Sequence, residues 1–189
     1  DNPDVPVVQM DSVIGNKSGK VLLTMFFQNT NLLLAFLRDH NTARSVLDVF
    51  NDLYAMFGRE TYCRLFPVIL TDRGSEFSNP VPIEQDENDE LRSLVFYCNP
   101  GAPYQKGGIE VAHELVRRVL PKGKSFDDLQ QEDIDLMLSH INSYKRGKLN
   151  SRSAYQLFNF IYGDDILPKL NIREIEANDI VLSPKLLKK

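Results

Sequence analysis

The chain is poor in the residues that build zinc sites and disulfide frameworks. Its 189 residues include two cysteines, Cys63 and Cys98, which do not form a C-x-x-C motif, and three isolated histidines. This scarcity argues against a zinc site. We expect both cysteines to be free, mostly buried thiols in a reducing cytoplasm.

The sequence also lacks the long apolar stretch that a membrane helix requires. It contains no run of eighteen apolar residues, and nothing in it resembles a signal peptide. We therefore expect no membrane partner. With 42% hydrophobic and 25% charged residues, the composition is typical of one globular domain with a sizeable core.

The net charge of -4 is small, but the charges are unevenly distributed. Acidic residues outnumber basic ones 14 to 8 as far as Pro103, whereas basic residues lead 9 to 7 from Tyr104 to Ser153. A polyanion could bind to the second segment although the whole chain is acidic. Ordinary solvated helix faces explain the same charges equally well.

The periodicity of apolar residues predicts a mixed α/β domain. Three consecutive strand-like runs predict an antiparallel meander, and two later strands, separated from it by a helix, are predicted to be parallel. The predicted strands are residues 7–13, 20–27, 32–37, 67–71 and 94–98. The first predicted helix begins at its cap, Thr42, and ends at Gly58, and the later helices are predicted at about 106–120, 131–144 and 153–162. We assign residues 1–162 to the core and 163–189 to an irregular tail with a weak strand at 179–182.

Two aspartates stand at unusual places in this pattern. Asp11 lies inside a strand rich in β-branched residues, where propensity and burial both disfavour it. Asp72 follows an apolar run directly, so it is either an Asx-turn residue or the ligand of a bound cation. If the two strands are neighbours, the carboxylates converge at one edge of the sheet.

A third acid comes from the helix that follows Pro103. Glu110 lies on the polar face of this helix, and Glu114 is an alternative one turn further along. Glu76 is expected to be a loop acid, and His113 is either a partner of the site or a surface residue. Three close carboxylates repel one another unless cations intervene, and oxygen ligands select hard ions such as Mg²⁺ or Mn²⁺.

The motifs around these acids resemble the acidic triad of DDE transposases. The contexts are Gln-Met-Asp-Ser-Val-Ile-Gly at Asp11, Leu-Thr-Asp-Arg-Gly-Ser-Glu-Phe at Asp72 and Tyr-Gln-Lys-Gly-Gly-Ile-Glu at Glu110. The chain is similar in particular to bacterial insertion sequences of the IS-thirty type, and more distantly to retroviral integrases. The likeness covers residues 7–160, and Leu-Pro-Lys-Gly at 120–123 extends it.

The resemblance implies a ribonuclease-H-like fold, with a mixed five-stranded sheet of three antiparallel strands and then two parallel ones, and helices on both faces. It implies that Asp11, Asp72 and Glu110 are catalytic and hold two Mg²⁺ ions, with Mn²⁺ as a substitute. It also implies that the protein cleaves and joins strands of double-stranded DNA, at the transposon ends and at the target. The expected location is a bacterial cytoplasm, and the expected assembly is a homodimer or larger.

The glycine-rich loop before Glu110 supplies three candidate DNA contacts, because such a loop can approach a backbone closely and stack on a base; they are Tyr104, Gln105 and Lys106. The resemblance implies that Arg117, seven residues beyond Glu110, also contacts DNA. Arg73 could pair with an active-site acid or with a phosphate. Arg73 replaces the asparagine that is usual in the family. The helix-turn-helix that the family carries before its core is not in this sequence, so we expect weak DNA binding with little sequence preference.

Two alternative functions share this fold. A ribonuclease H or junction nuclease has the same metal chemistry without strand joining. A non-catalytic DNA-binding or assembly module could also have retained the fold.

Overall fold

A single mixed sheet organises the structure, a computed structural model that describes residues 5–16, 19–99 and 101–187. Its strands are β1 (Val7–Ile14), β2 (Val21–Phe27), β3 (Leu33–Arg38), β4 (Val68–Thr71) and β5 (Leu94–Tyr97), in the order β3-β2-β1-β4-β5. The first three strands are antiparallel, and β4 lies parallel to both β1 and β5. The predicted sheet, with three antiparallel strands and then two parallel ones, is confirmed.

Helices cover both faces of this sheet, as predicted. Those in the described residues are α1 (Ala43–Leu65), α2 (Val81–Glu84), α3 (Gly107–Val119), α4 (Gln131–Ser143), α5 (Ala154–Tyr162) and α6 (Ile166–Lys169). On one face of β2 the Thr24 hydroxyl bonds His113 of α3, and on the other the Phe27 ring packs against Phe158 of α5, with ring centroids 5.3 Å apart. None of these helices combines the length and apolar character needed to cross a membrane.

The first helix begins where the sequence predicts, and a second helical segment continues it beyond a kink. Thr42 caps it, accepting a hydrogen bond of 3.2 Å from the amide of Ser45. The predicted end at Gly58 is confirmed, because the chain leaves helical geometry there with φ 72° and ψ 164°. The sequence analysis did not predict the second helical segment, which follows this kink and runs as far as Leu65. Glycine tolerates this left-handed φ, and the second segment buries Tyr62 and Leu65 in the core.

The segment after α5 packs against the core. Ile166, Leu167 and Ile172 are buried in the main hydrophobic cluster. The predicted strand at 179–182 is wrong, since Ala177–Asp179 forms a 3-10 turn and no strand follows it in the described residues. The proposed boundary between residues 162 and 163 stays a prediction, and residues 1–4 and 188–189 of the two predicted domains lie outside the described residues.

Side chains of α4 occupy the outward backbone groups of the edge strand β3. Asn142 accepts from the Leu33 amide (2.9 Å) and donates to the Leu33 carbonyl (2.8 Å). Gln131 accepts from the Leu37 amide (2.8 Å) and donates to the Ala35 carbonyl (3.0 Å). Two carboxamides thus take the place of the backbone of a sixth strand.

Replacement of Asn142 by alanine should lower the free energy of unfolding by about 2–4 kcal/mol, because it leaves a buried N–H and a buried C=O without partners. Urea denaturation measures this change. Glu132→Ala, at an exposed position of the same helix, is the control and should change stability by less than about 0.5 kcal/mol. Equal effects of the two substitutions would contradict the proposed role of the amide.

Candidate active site

Asp11 and Asp72 converge on one cation. Asp11 lies in β1, and Asp72 follows β4, which pairs parallel with β1. Each aspartate uses Oδ1 for a nearby amide, that of Ser12 at 2.8 Å and that of Gly74 at 3.0 Å. Each Oδ2 lies 3.1 Å from the Nζ of Lys106. Asp72 is therefore both the Asx-turn residue and a carboxylate directed at a positive charge.

All three predicted acids line one cavity of about 490 Å³. Glu110 reaches it from the exposed side of the first turn of α3, whereas Glu114 is not among the lining residues. Within the described ranges, no three His, Cys, Asp or Glu side chains stand close enough together to hold a metal ion. The structure thus brings Asp11 and Asp72 together at Lys106, with Glu110 at the wall of the same cavity.

The position of Lys106 differs from that of a surface DNA contact. Only 6% of the residue is exposed, and its ammonium lies between the two aspartates. It neutralises the repulsion that two neighbouring carboxylates would otherwise exert. Contact between Lys106 and DNA stays a prediction.

Gln9, which the sequence analysis did not single out, positions the start of α3 over β1. It lies two residues before Asp11, on the same face of the strand, and is 2% exposed. Its amide donates to the Gln105 carbonyl (3.0 Å) and accepts from the Ile109 N–H (2.7 Å). A Cβ on Gly108 would lie 2.5 Å from a ring carbon of Phe26, so only glycine permits this close approach.

His113 belongs to the surroundings of Asp11 rather than to the helix surface. The Thr24 hydroxyl donates to the Asp11 carbonyl (3.0 Å) and lies 2.8 Å from His113 Nε2. Since the hydroxyl has one proton, it accepts from Nε2–H. Burial lowers the pKa of His113 below its ordinary value, although the charge of Asp11 acts to raise it.

A second polar network ties the loop after Asp72 to β1. Arg38, 4% exposed, donates to Ser12 Oγ (3.2 Å) and Asn41 Oδ1 (2.9 Å), and Asn41 donates to Glu76 Oε1 (3.0 Å). Burial lowers the pKa of Arg38 to about 10, against the charge of Glu76, which raises it. Glu76, expected to be a loop acid, is buried and connects the two segments that carry Asp11 and Asp72.

Two of the predicted DNA contacts are exposed, one at the cavity and one beside it. Tyr104 is 80% exposed just before α3. Arg73 is exposed and lines the cavity, with its guanidinium 5.6 Å from the centre of the Tyr97 ring.

The other two candidates already bond the protein. Gln105 Oε1 accepts from the Asn99 amide (2.8 Å), and Arg117 donates to the Ile14 carbonyl (2.9 Å). These bonds hold the loop before α3 and the end of β1. The part of each residue in DNA binding stays a prediction.

The sequence is similar to those of a putative integrase and a transposase among the curated proteins. The chain is 29% identical over 151 residues to a putative integrase of Spiroplasma virus SpV1-R8A2 B, covering 80% of this chain and 45% of that protein. It is 23% identical over 151 residues to the transposase for insertion sequence element IS4351 of Bacteroides fragilis, covering 80% and 44%. The predicted resemblance to transposases and integrases is confirmed. The chain spans less than half the length of these relatives.

The comparison of structures agrees with this resemblance at the level of the fold. The catalytic core domain of BIV integrase superimposes with a TM-score of 0.53 and 21% identity, covering 82% of this chain and 92% of that one. The sheet is therefore that of a ribonuclease-H-like integrase core. No family model matches the sequence.

Glu76→Gln should lower the free energy of unfolding by about 1–3 kcal/mol, because it removes the negative charge that faces buried Arg38 through Asn41. Urea denaturation at pH 7 tests this prediction. Glu114→Gln makes the same change at an exposed helix position and should cost less than about 0.5 kcal/mol. Equal stabilities of the two variants would remove Glu76 from the network.

Protonation of His113 should lower the free energy of unfolding as the pH falls. Its lowered folded pKa means that the unfolded chain binds a proton first, so stability present above pH 6.5 is lost as the pH falls towards the folded value. His113→Gln should reduce the slope of unfolding free energy against pH between about 6.5 and 5. Denaturation series at several pH values measure it, with exposed His40→Gln as the control. Identical slopes for both variants would contradict the prediction.

Proposed function

We propose that this chain is the catalytic core of a DDE transposase or integrase, which cleaves and joins DNA strands with divalent metal ions. The observation that supports it best is the convergence of Asp11 and Asp72 Oδ2 on one positive charge, with Glu110 in the same cavity. The similarity to a transposase and to a putative integrase points to the same chemistry.

The two aspartates carry the type of donor that a hard divalent cation prefers. The ammonium of Lys106 is a stand-in ion, since two carboxylate oxygens bind it at 3.1 Å. Oxygen-only donors of this kind select Mg²⁺ or Mn²⁺. Asp11 and Asp72 would hold such an ion, and Glu110 would complete the site for a pair of ions.

The metal pair would activate the attacking oxygen and stabilise the leaving oxygen of the phosphodiester. The chain itself supplies orientation: Gln9 fixes the start of α3, and the Arg38 network fixes the loop after Asp72. Exposed Arg73 and Tyr104 would then contact the DNA, Arg73 at a phosphate and Tyr104 by stacking on a base.

The biological partners follow from the same proposal. Double-stranded DNA, as transposon ends and as target, would be the substrate, and a homodimer or larger assembly would act on it.

A nicking and joining assay tests the function. With Mn²⁺ present, the chain should nick supercoiled plasmid and join a pre-cut DNA end to it. Asp11→Asn, Asp72→Asn and Glu110→Gln should each lower both activities by at least about 100-fold, since even partners of metal ligands are worth 10- to 100-fold. Glu114→Gln should retain them.

The alternatives give different results in this assay. Nicking without joined product would indicate a nuclease on the same fold. Absence of nicking in the wild-type chain, with DNA binding retained, would indicate a non-catalytic module.

A further inference from the structure

The ammonium of Lys106 occupies the place where the proposed function puts a metal ion. It lies 3.1 Å from Oδ2 of both Asp11 and Asp72, and the residue is only 6% exposed. We propose that metal loading of this core is a cation exchange, in which Lys106 neutralises the aspartates in the metal-free protein and withdraws when a divalent ion binds. This inference rests on the proposed function.

Electrostatics favours an occupant between the two aspartates. Each carboxylate accepts a hydrogen bond from a backbone amide through Oδ1, so its orientation is set locally. The Oδ2 atoms of both aspartates are therefore directed at the same point, which the Nζ of Lys106 occupies. Two carboxylates directed at one point repel each other. A cation between them removes the penalty, and Lys106 supplies one within the chain itself.

The backbone on both sides of Lys106 is held in place. Gln9 donates to the carbonyl of Gln105, directly before the lysine, and accepts from the N–H of Ile109, three residues after it. The start of α3 therefore stays on β1 whether or not the ammonium moves. Exchange requires only a change of side-chain rotamers.

The cavity gives the side chain somewhere to go. Lys106 lines the same space of about 490 Å³ as both aspartates and Glu110. A lysine has four rotatable methylenes and a compact charge, so it can leave the aspartates without any movement of the helix. A phosphate bound beside the metal ions would be a new partner for the released ammonium.

Exchange predicts that Lys106 competes with metal. Lys106→Met keeps the length of the buried stem and removes the charge, so its affinity for Mn²⁺ should rise by about tenfold or more. Its metal-free melting temperature should fall, and Mn²⁺ should restore it by a larger shift than in the wild type. Mn²⁺ binding is measured by electron paramagnetic resonance and the melting temperature by calorimetry, without DNA.

Matched variants locate the effect. Lys122→Met removes an exposed lysine beyond α3 and should leave the affinity unchanged. Adding Asp72→Asn to Lys106→Met should abolish the gain. Lys106→Gln is the second variant if the methionine protein does not fold, and circular dichroism checks the fold of each.

The outcomes separate this inference from the proposed function. Equal or weaker Mn²⁺ binding by the Lys106 variants, beside measurable binding by the wild type, overturns the exchange and leaves the catalytic assignment standing. Absence of Mn²⁺ binding in the wild type and in all variants at millimolar metal overturns both. Tighter binding that persists with Asp72→Asn also overturns the exchange, because the gain then arises elsewhere.

Discussion

Two like charges on adjacent strands, one within β1 and one directly after β4, are the constraint on which this structure depends. Parallel pairing of β1 with β4 brings Asp11 and Asp72 together, and the ammonium of Lys106 balances them. Polar groups at two sides stabilise that arrangement. Gln9 holds the backbone on both sides of Lys106 at the start of α3, and buried Arg38 connects β1 to the loop after Asp72 through Asn41.

The strands and the aspartates could be predicted because their signals are local. Asp11 interrupts a β-branched run, and Asp72 ends one, so both stand out without any knowledge of the fold. The position of the Lys106 ammonium could not be predicted. It depends on the direction in which a flexible side chain leaves the last residue of a 3-10 turn, and on which carboxylates lie opposite. The same basic residue beside a glycine pair is equally typical of a surface phosphate contact.

Gln9, Glu76 and Gly58 show a second limit of local patterns. Gln9 is a polar residue in a strand and Glu76 an acid in a loop, so the local pattern predicts that both are exposed. Both are buried, and each bonds a residue far away in the sequence: Gln9 bonds Ile109, 100 residues later, and Glu76 bonds Asn41, 35 residues earlier. Gly58 reads as the end of a helix, yet the chain turns there and resumes its helix, because Tyr62 and Leu65 find places in the core. For Gln9 and Glu76 tertiary contacts override the local signal, and after Gly58 they stabilise a helical segment that the local signal does not predict.

The carboxamides that cover β3 also limit how copies of this sheet can associate. An edge strand with free N–H and C=O groups invites a strand from another molecule, which leads to aggregation. Here Asn142 and Gln131 fill that edge, and on the opposite side Glu84 takes the Val95 amide at 2.9 Å. Any assembly that uses the β3 side must therefore form through packing of side chains, and the sheet cannot grow there by adding strands.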